Sequence, residues 1–208
     1  GDLPFEEAAF MEPLSCVIHG IQKAGLRMGD RVAVVGAGPI GILLLECTRA
    51  LGASGVTMVD INEKRLGCAV AHGATGVHAH LNELQEDGFD AVIDATGSPG
   101  VMAGLPRMAR PGGTVLLFGV APRGETMEVE PFLVFRKGLA MVSSYTSVRN
   151  SYQALDLLQS KRVSVEGLVT HRLALEEMER GIELITRGVE NTMKVMLFPN
   201  GQGFIDPM

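Results

Sequence analysis

Gly36-Ala37-Gly38-Pro39-Ile40-Gly41 follows the apolar run Arg31-Val32-Ala33-Val34-Val35 and opens a helix-like pattern from Ile40 to Leu51. Strand, tight glycine turn and helix, in that order, form the setting that a dinucleotide-binding turn requires. Gly36 permits the turn, Gly38 lets the backbone come close to a pyrophosphate, and Gly41 lets the helix lie against the strand. The helix N-terminus adds N–H groups that lack an intrahelical acceptor, so Gly36, Gly38, Pro39, Ile40 and Gly41 are the expected phosphate cradle.

A G-x-G-x-x-G stretch alone is a weak signal, so its surroundings decide. The next apolar run, Gly55-Val56-Thr57-Met58-Val59, ends at Asp60, close to the ~20 residues beyond the first glycine at which a ribose-binding acid is expected. A carboxylate there accepts hydrogen bonds from ribose hydroxyls and repels a 2′-phosphate. No basic residue at position 61 or 62 neutralises that repulsion, which favours NAD over NADP. Taken by itself, Asp60 reads equally well as a turn residue at a strand end.

Outward from this turn, apolar runs alternate with helix-like stretches, the pattern of a parallel sheet covered on both faces. A helix from near Asn62 carries Leu66, Ala69 and Val70 inward, and Gly76-Val77-His78-Ala79 reads as a third strand. Phe89 to Ala95 reads as a fourth, ending in Thr96-Gly97-Ser98. A fifth, Gly113 to Phe118, follows a turn at Arg110-Pro111-Gly112, and Leu139 to Ser143 is a sixth. Six strands with crossovers fit an α/β, doubly wound Rossmann sheet of order 3-2-1-4-5-6, whose ligands lie outside the carboxyl ends of the strands. The loops at Gly36, Asp60, Thr96, Gly119 and Ser144 are therefore expected to meet at one crevice. His78 and His80, flanking the third strand, are expected far from the switch point, as surface residues rather than ligands or bases.

From about Thr146 the pattern changes to an amphipathic helix ending near Ser160, a strand from Val169 to Leu173, a helix from Leu175 to Arg187 and a closing strand from Met193 to Phe198. Asn200 to Met208 reads as a disordered end.

Composition narrows the function class. The 208 residues suffice for one or two ordinary domains with a sizeable core, and a net charge of −6 without runs of like charge argues against a nucleic-acid surface. Cys16, Cys47 and Cys68 are widely spaced with no C-x-x-C pair, which fits a reducing, cytoplasmic setting and neither a disulfide framework nor a structural zinc knuckle. The most apolar segment, Val32 to Leu45, holds the glycine turn and stops at Glu46, short of the ~20 residues a membrane span needs. The chain opens Gly1-Asp2 rather than with methionine and reads as a cut start.

Several stretches, in order, resemble the zinc-dependent medium-chain alcohol and polyol dehydrogenases, on their sorbitol and threonine dehydrogenase side. They are Glu12-Pro13-Leu14-Ser15, Gly25-Leu26 to Asp30-Arg31-Val32, Gly36 to Gly41, Val59-Asp60-Ile61-Asn62, Asp94-Ala95-Thr96-Gly97, and Thr170-His171-Arg172 followed by Lys194-Val195. The likeness covers nearly the whole chain. It implies that residues 1–20 are the edge of a catalytic domain and an interdomain helix, 21–145 the NAD-binding domain, 146–199 the C-terminal return to a GroES-like catalytic domain, and 200–208 a tail. It also implies that an N-terminal catalytic domain is missing, so that this chain alone is inactive.

The activity implied for the intact enzyme is NAD-dependent oxidation of a secondary alcohol or polyol, with zinc polarising the substrate oxygen. Beyond the glycine turn and Asp60, the resemblance brings in Ile61, Arg65, Thr96, Gly97, Gly119, Val120, Ser144 and Tyr145 as cofactor contacts. Arg65 reads equally as a residue on its own helix face, and Arg149 as one facing solvent. Glu12 is the one position it carries over as a zinc contact. Catalytic zinc takes three protein ligands, so Glu12 alone does not make a site. A local cluster of Glu12, Cys16 and His19 is disfavoured, because Pro13 starts the helix after Glu12 and leaves Cys16 and His19 as an i, i+3 pair without a third ligand.

Two other classes stay open: a dinucleotide-binding module without catalysis, and a zinc-free NADPH-dependent reductase. The sixth strand leaves a sheet edge that related enzymes pair across a two-fold axis, so a homodimer or homotetramer is expected.

Overall fold

The computed structural model describes residues 3–189 and 191–199, so the tail expected from Asn200 to Met208 lies outside the described residues. Six strands, β1 (Arg31–Val35), β2 (Gly55–Val59), β3 (Gly76–His78), β4 (Phe89–Asp94), β5 (Ala109–Leu117) and β6 (Ala140–Ser143), form one all-parallel sheet. Their order is β3-β2-β1-β4-β5-β6, the doubly wound Rossmann order read from the sequence. The strands are nearly continuous apolar runs because helices cover both faces of a parallel sheet. Val32, Ala33, Val34, Val92, Ile93, Val115 and Leu116 are all fully buried.

One face packs against α2 (Met11–Ala24), α3 (Pro39–Leu51), α4 (Glu63–Ala71) and α8 (Ser151–Gln159). The other packs against α6 (Leu105–Met108), through Leu105 and Met108. Two further short helices lie beside it, α5 (Pro99–Met102) and α7 (Pro131–Lys137), and α1 (Phe5–Ala8) begins the chain. Helix α3 is the centre of the first layer: Ile42, Leu43, Leu44 and Leu45 are buried in succession, as a helix covered on several sides requires.

Residues after α8 stay with this core, since Val163, Val165 and Leu168 share it. Only then does the chain form a second, two-stranded parallel sheet, β7 (Val169–Ala174) with β8 (Lys194–Phe198). Helix α9 (Met178–Arg187) covers that sheet, and Gly181 allows it: a Cβ there would lie 3.2 Å from Val195 and 3.4 Å from Leu173.

Several local expectations are corrected. Val70 is exposed, because the buried positions of α4 are Leu66 and Ala69 and the next residue turns outward. Strand β5 begins at Ala109, ahead of the expected turn. Ala109 pairs with Phe89 and Thr114 with Ala91, so residues 110–113 bulge opposite Asp90 alone, with Gly112 at φ +74°. The helix expected from Thr146 starts at Ser151; Thr146 (φ +53°) and Arg149 (φ +59°) hold left-handed backbone that no helix tolerates. Leu175–Glu177 is a 3-10 turn ahead of α9. Helix α2 starts at Met11, two residues before Pro13, since a first helical turn needs no N–H from proline.

Candidate dinucleotide site

The strand register places the last residues of all six strands in one row. His78 pairs with Val59, Val59 with Val35, Val35 with Asp94, Asp94 with Leu117, and Leu117 with Ser143. The residues that follow, from Ala79 and Asp60 through Gly36 and Thr96 to Gly119 and Ser144, therefore leave the sheet along a single edge. At a strand spacing of ~4.8 Å, the edge from β2 to β6 runs about 19 Å.

The glycine turn does what its residues suggested. Gly36 sits at φ +106°, and a Cβ there would lie 3.0 Å from the Ala95 carbonyl carbon. At Gly41 a Cβ would fall 1.8 Å from the Gly36 carbonyl oxygen, so only glycine lets α3 close on the turn. Gly38 differs: a Cβ there would meet nothing within 4 Å, so the space beside it is open. Gly38 also precedes α3, no side chain caps that helix, and Pro39 occupies its first position. The N–H groups of its first turn thus face outward without a protein acceptor.

Asp60 carries a structural bond on each oxygen. Oδ2 accepts from the Ala37 N–H at 2.7 Å and Oδ1 from the Asn62 N–H at 2.8 Å. The carboxylate thereby ties the end of β2 to the glycine turn, so the turn-residue reading and the ligand reading describe one side chain. Each oxygen keeps lone-pair capacity for a further donor. Asn62 in turn caps α4, its side chain accepting from the Lys64 and Arg65 N–H groups at 3.0 and 3.3 Å.

Around these residues lies a cavity of about 510 Å³, lined among others by Gly36, Gly38, Asp60, Ile61, Arg65 and Thr96. Ile61 is 83% exposed at its rim. Arg65 lines it while its Nη2 reaches the Thr192 carbonyl at 3.4 Å. His80 is exposed, as expected, but it lines the cavity with Gly36 and Thr96 rather than lying far from the switch point, because β3 ends in the same row as β2. His78 faces Glu83 instead, at 3.5 Å. A larger cavity, 590 Å³, lies elsewhere, between the N-terminal turn and residues 161–172. Its walls are held by the Glu6–Arg172 and Glu7–Lys161 ion pairs, and the Arg172 guanidinium holds Glu6 below the usual carboxylate range.

Pro39, Ile40, Gly41, Gly97, Gly119, Val120, Ser144 and Tyr145 do not line the 510 Å³ cavity. Gly97 and Gly119 are nonetheless packed beside it by Asp94, which is fully buried. Its Oδ1 accepts from the Thr96 N–H at 3.1 Å and the Thr96 hydroxyl at 2.6 Å, and its Oδ2 from the Gly97 N–H at 3.0 Å. A Cβ on Gly119 would lie 2.2 Å from the Gly97 nitrogen, and one on Gly97 would lie 2.5 Å from the Val120 carbonyl oxygen. Further along the edge, the Ser144 hydroxyl is buried without a protein partner, and Tyr145 is 86% exposed.

Glu12, the expected zinc contact, lies in the first turn of α2. Cys16 Sγ lies 3.5 Å from Glu12 Oε1, one helical turn apart, and burial together with the Glu12 carboxylate pushes that thiol up, away from the thiolate a metal needs. Among the described residues no group of three or more His, Cys, Asp or Glu side chains could hold a metal ion. The described residues do not by themselves complete a zinc site.

One buried cluster was not anticipated. His72 Nδ1 lies 2.7 Å from Glu46 Oε1 and Nε2 lies 3.0 Å from the Glu166 carbonyl, while Glu46 Oε2 accepts from the Ser164 N–H at 3.1 Å. Both ring nitrogens face acceptors, so the imidazole is held protonated. The Cys68 side chain, then Glu46, then the Glu166 carbonyl raise its pKa to about 10 against the opposing effect of burial. This staple ties α3 to the end of α4 and both to the segment entering β7. Glu46 inside an apolar helix pattern was the signal that could have revealed it.

The comparisons agree with this geometry. Residues 39–160, more than half of the chain, match the family described as zinc-binding dehydrogenase. D-altritol 5-dehydrogenase of Agrobacterium fabrum is 40% identical over 186 residues, covering 86% of this chain and 55% of the relative. A zinc-binding dehydrogenase of Sinorhizobium meliloti 1021 solved with NADP superposes with a TM-score of 0.87 at 28% identity, over 95% of this chain and 61% of its own. Alcohol dehydrogenase TADH of Thermus sp. ATN1 gives 0.82 at 32% identity, over 94% and 60%. The chain thus spans little more than half the length of the curated relative it matches, and with that sheet order, glycine turn and family match it belongs to the zinc-binding dehydrogenases.

Proposed function

We propose that this chain is the cofactor-binding part of an NAD-dependent alcohol or polyol dehydrogenase. The observation that carries the reading is the open, uncapped α3 N-terminus beside Gly38, bonded through Ala37 to the Asp60 carboxylate at the rim of one cavity. In this reading the adenosine ribose hydroxyls donate to Asp60, the adenine ring lies over Ile61 and Arg65, and the pyrophosphate meets the N–H groups of the turn at Gly36 to Gly41. The nicotinamide half then runs along the same edge past Thr96, Gly97, Gly119 and Val120 towards Ser144 and Tyr145.

Residues 21–145 are the cofactor domain in this proposal, 1–20 the edge of the catalytic domain with the interdomain helix, and 146–199 the return to a GroES-like catalytic domain. Within 146–199, α8 and Val163 to Leu168 still share the first core, which supports β7, α9 and β8 as the part that belongs to the catalytic domain in this reading. The relatives' names support oxidation of a secondary alcohol or polyol, with hydride passing to the nicotinamide. Zinc belongs to the intact enzyme in this reading, with Glu12 as this chain's contribution and the other ligands supplied from outside the chain. No described helix is long and apolar enough to cross a membrane. A cytoplasmic homodimer or homotetramer paired through the β6 edge completes the proposal.

A preference for NADPH has one point in its favour, the Arg65 side chain lining the cavity beside Asp60. Titration of the chain with NADH and NADPH, before and after Asp60→Asn, separates the two. The NAD reading expects tighter NADH binding in the unaltered chain, and a loss for NADH of about 1.5–3 kcal/mol once the charged acceptor is gone. Equal NADH affinities for both proteins would remove the ribose assignment.

A further inference from the structure

The loop after β6 is held in an unusual way. Between Ser143 and the start of α8 at Ser151, Thr146 and Arg149 both adopt left-handed backbone, a conformation that costs non-glycine residues energy and persists only where the surroundings impose it. Much of this loop is open to solvent: Tyr145, Thr146, Val148 and Arg149 are all exposed. Its anchor is Asn150, only 4% exposed. Asn150 Oδ1 accepts from the Val148 N–H at 3.1 Å. Its Nδ2 donates to Gln22 Oε1 on α2 at 3.0 Å and to Gln153 Oε1 on α8 at 2.8 Å, and Gln22 and Gln153 meet at 3.4 Å. The three amides thus join two helices and the loop, and both Nδ2 hydrogens of Asn150 are used.

This anchor bears on the far end of the edge. The β6 loop leaves the row four strands away from Asp60, and its first residue, Ser144, holds a buried hydroxyl without a protein partner. A buried hydroxyl left unpaired is costly, so a loop built around one is suited to a group that arrives from outside. We infer that Asn150 is a positioning residue for the nicotinamide end of the bound cofactor: with Gln22 and Gln153 it fixes the strained loop so that Ser144 and Tyr145 meet that half of the dinucleotide. The inference rests on the proposed dinucleotide reading. It adds a residue six positions beyond Ser144 that touches no part of the ligand itself.

The test compares NADH with ADP-ribose, which carries the adenosine half and lacks the nicotinamide. Calorimetric titration of the whole chain is expected to show Asn150→Ala weakening NADH about tenfold, the size of one net hydrogen bond, while ADP-ribose affinity stays within twofold. Asn150→Asp retains the acceptor for Val148, and the two glutamine amides can rotate to donate, so it should restore most of the NADH affinity. Should Asn150→Ala fold poorly, the exposed pair Gln22→Ala and Gln153→Ala removes the same support and is expected to weaken NADH selectively. Equal loss for both ligands, or loss for neither, would overturn the inference. If the unaltered chain binds neither ligand, the proposed function fails first; if it binds both and the variants do not discriminate, only the role of Asn150 fails.

Discussion

The two ends of the sheet's carboxyl edge are built differently. At the β1–β2 end the backbone is fixed by bonds among its own elements: Asp60 holds Ala37 and Asn62, Asn62 caps α4, and Gly41 seats α3 against the Gly36 carbonyl. At the β6 end, the loop carries left-handed Thr146 and Arg149, an exposed Tyr145 and an unpaired Ser144 hydroxyl, and depends on Asn150 for its shape. The first end is a preformed socket, fixed by its own bonds and open at the first N–H groups of α3, whereas the second is a held loop with an unpaired hydroxyl and strained backbone. In a dinucleotide enzyme this division has a physical logic. The adenosine half only anchors, so its site can be rigid, while the nicotinamide half must meet a second domain and a substrate.

The largest expected effect falls on the helices that carry the socket, since Glu46 and His72 join α3 to the end of α4. His72→Ala leaves Glu46 buried with only the Ser164 N–H at 3.1 Å and the Arg49 guanidinium at 3.8 Å, and the expected loss is about 3 kcal/mol in urea unfolding at neutral pH. The pH dependence has a definite sign. The folded-state pKa of about 10 lies above the ordinary value of 6.5. The staple's contribution is therefore complete below about pH 6.5 and is lost as pH rises towards 10. Thermal melts across that window should show a falling Tm in the unaltered chain and a flatter profile in the variant; equal slopes would mean the pair adds no net stability.

Gly41→Ala comes next. Its Cβ would overlap the Gly36 carbonyl, so α3 must shift, at an expected cost of about 1–3 kcal/mol, with NADH affinity lost as well. Unfolding and titration measured on the same sample check both. A variant as stable as the parent would contradict the close seating of the helix.

Much of this was legible in the sequence because it depends on local chemistry. The glycine spacing, the acid at the end of β2 and the alternation of apolar runs with helices lead directly to the strand order and to the row of loops. What escaped depends on register or on distant partners. The place of His80 follows from β3 ending level with β2, which no local pattern around His80 discloses. The bulge at residues 110–113 is set by Asp90, whose carboxylate accepts from the Arg31 N–H at 2.8 Å and the Arg110 Nε at 2.5 Å. The late start of α8 follows from Asn150, whose partners lie on α2 and α8. The Glu46–His72 staple joins residues 26 apart and then reaches Glu166, so only the folded chain brings it together.

The smallest expected change in stability lies at Gly38, where the turn before α3 is open in order to receive a pyrophosphate. Gly38 has φ −70°, which alanine adopts without strain, and a Cβ there meets nothing in the protein. Gly38→Ala should therefore leave unfolding free energy within about 0.5 kcal/mol of the parent, as for a surface substitution. If the open space belongs to the cofactor, the same methyl group should lower NADH affinity at least about tenfold, the equivalent of ~1.4 kcal/mol. Unchanged stability with NADH affinity lost is the expected result. Unchanged stability with NADH bound as tightly as before would contradict it.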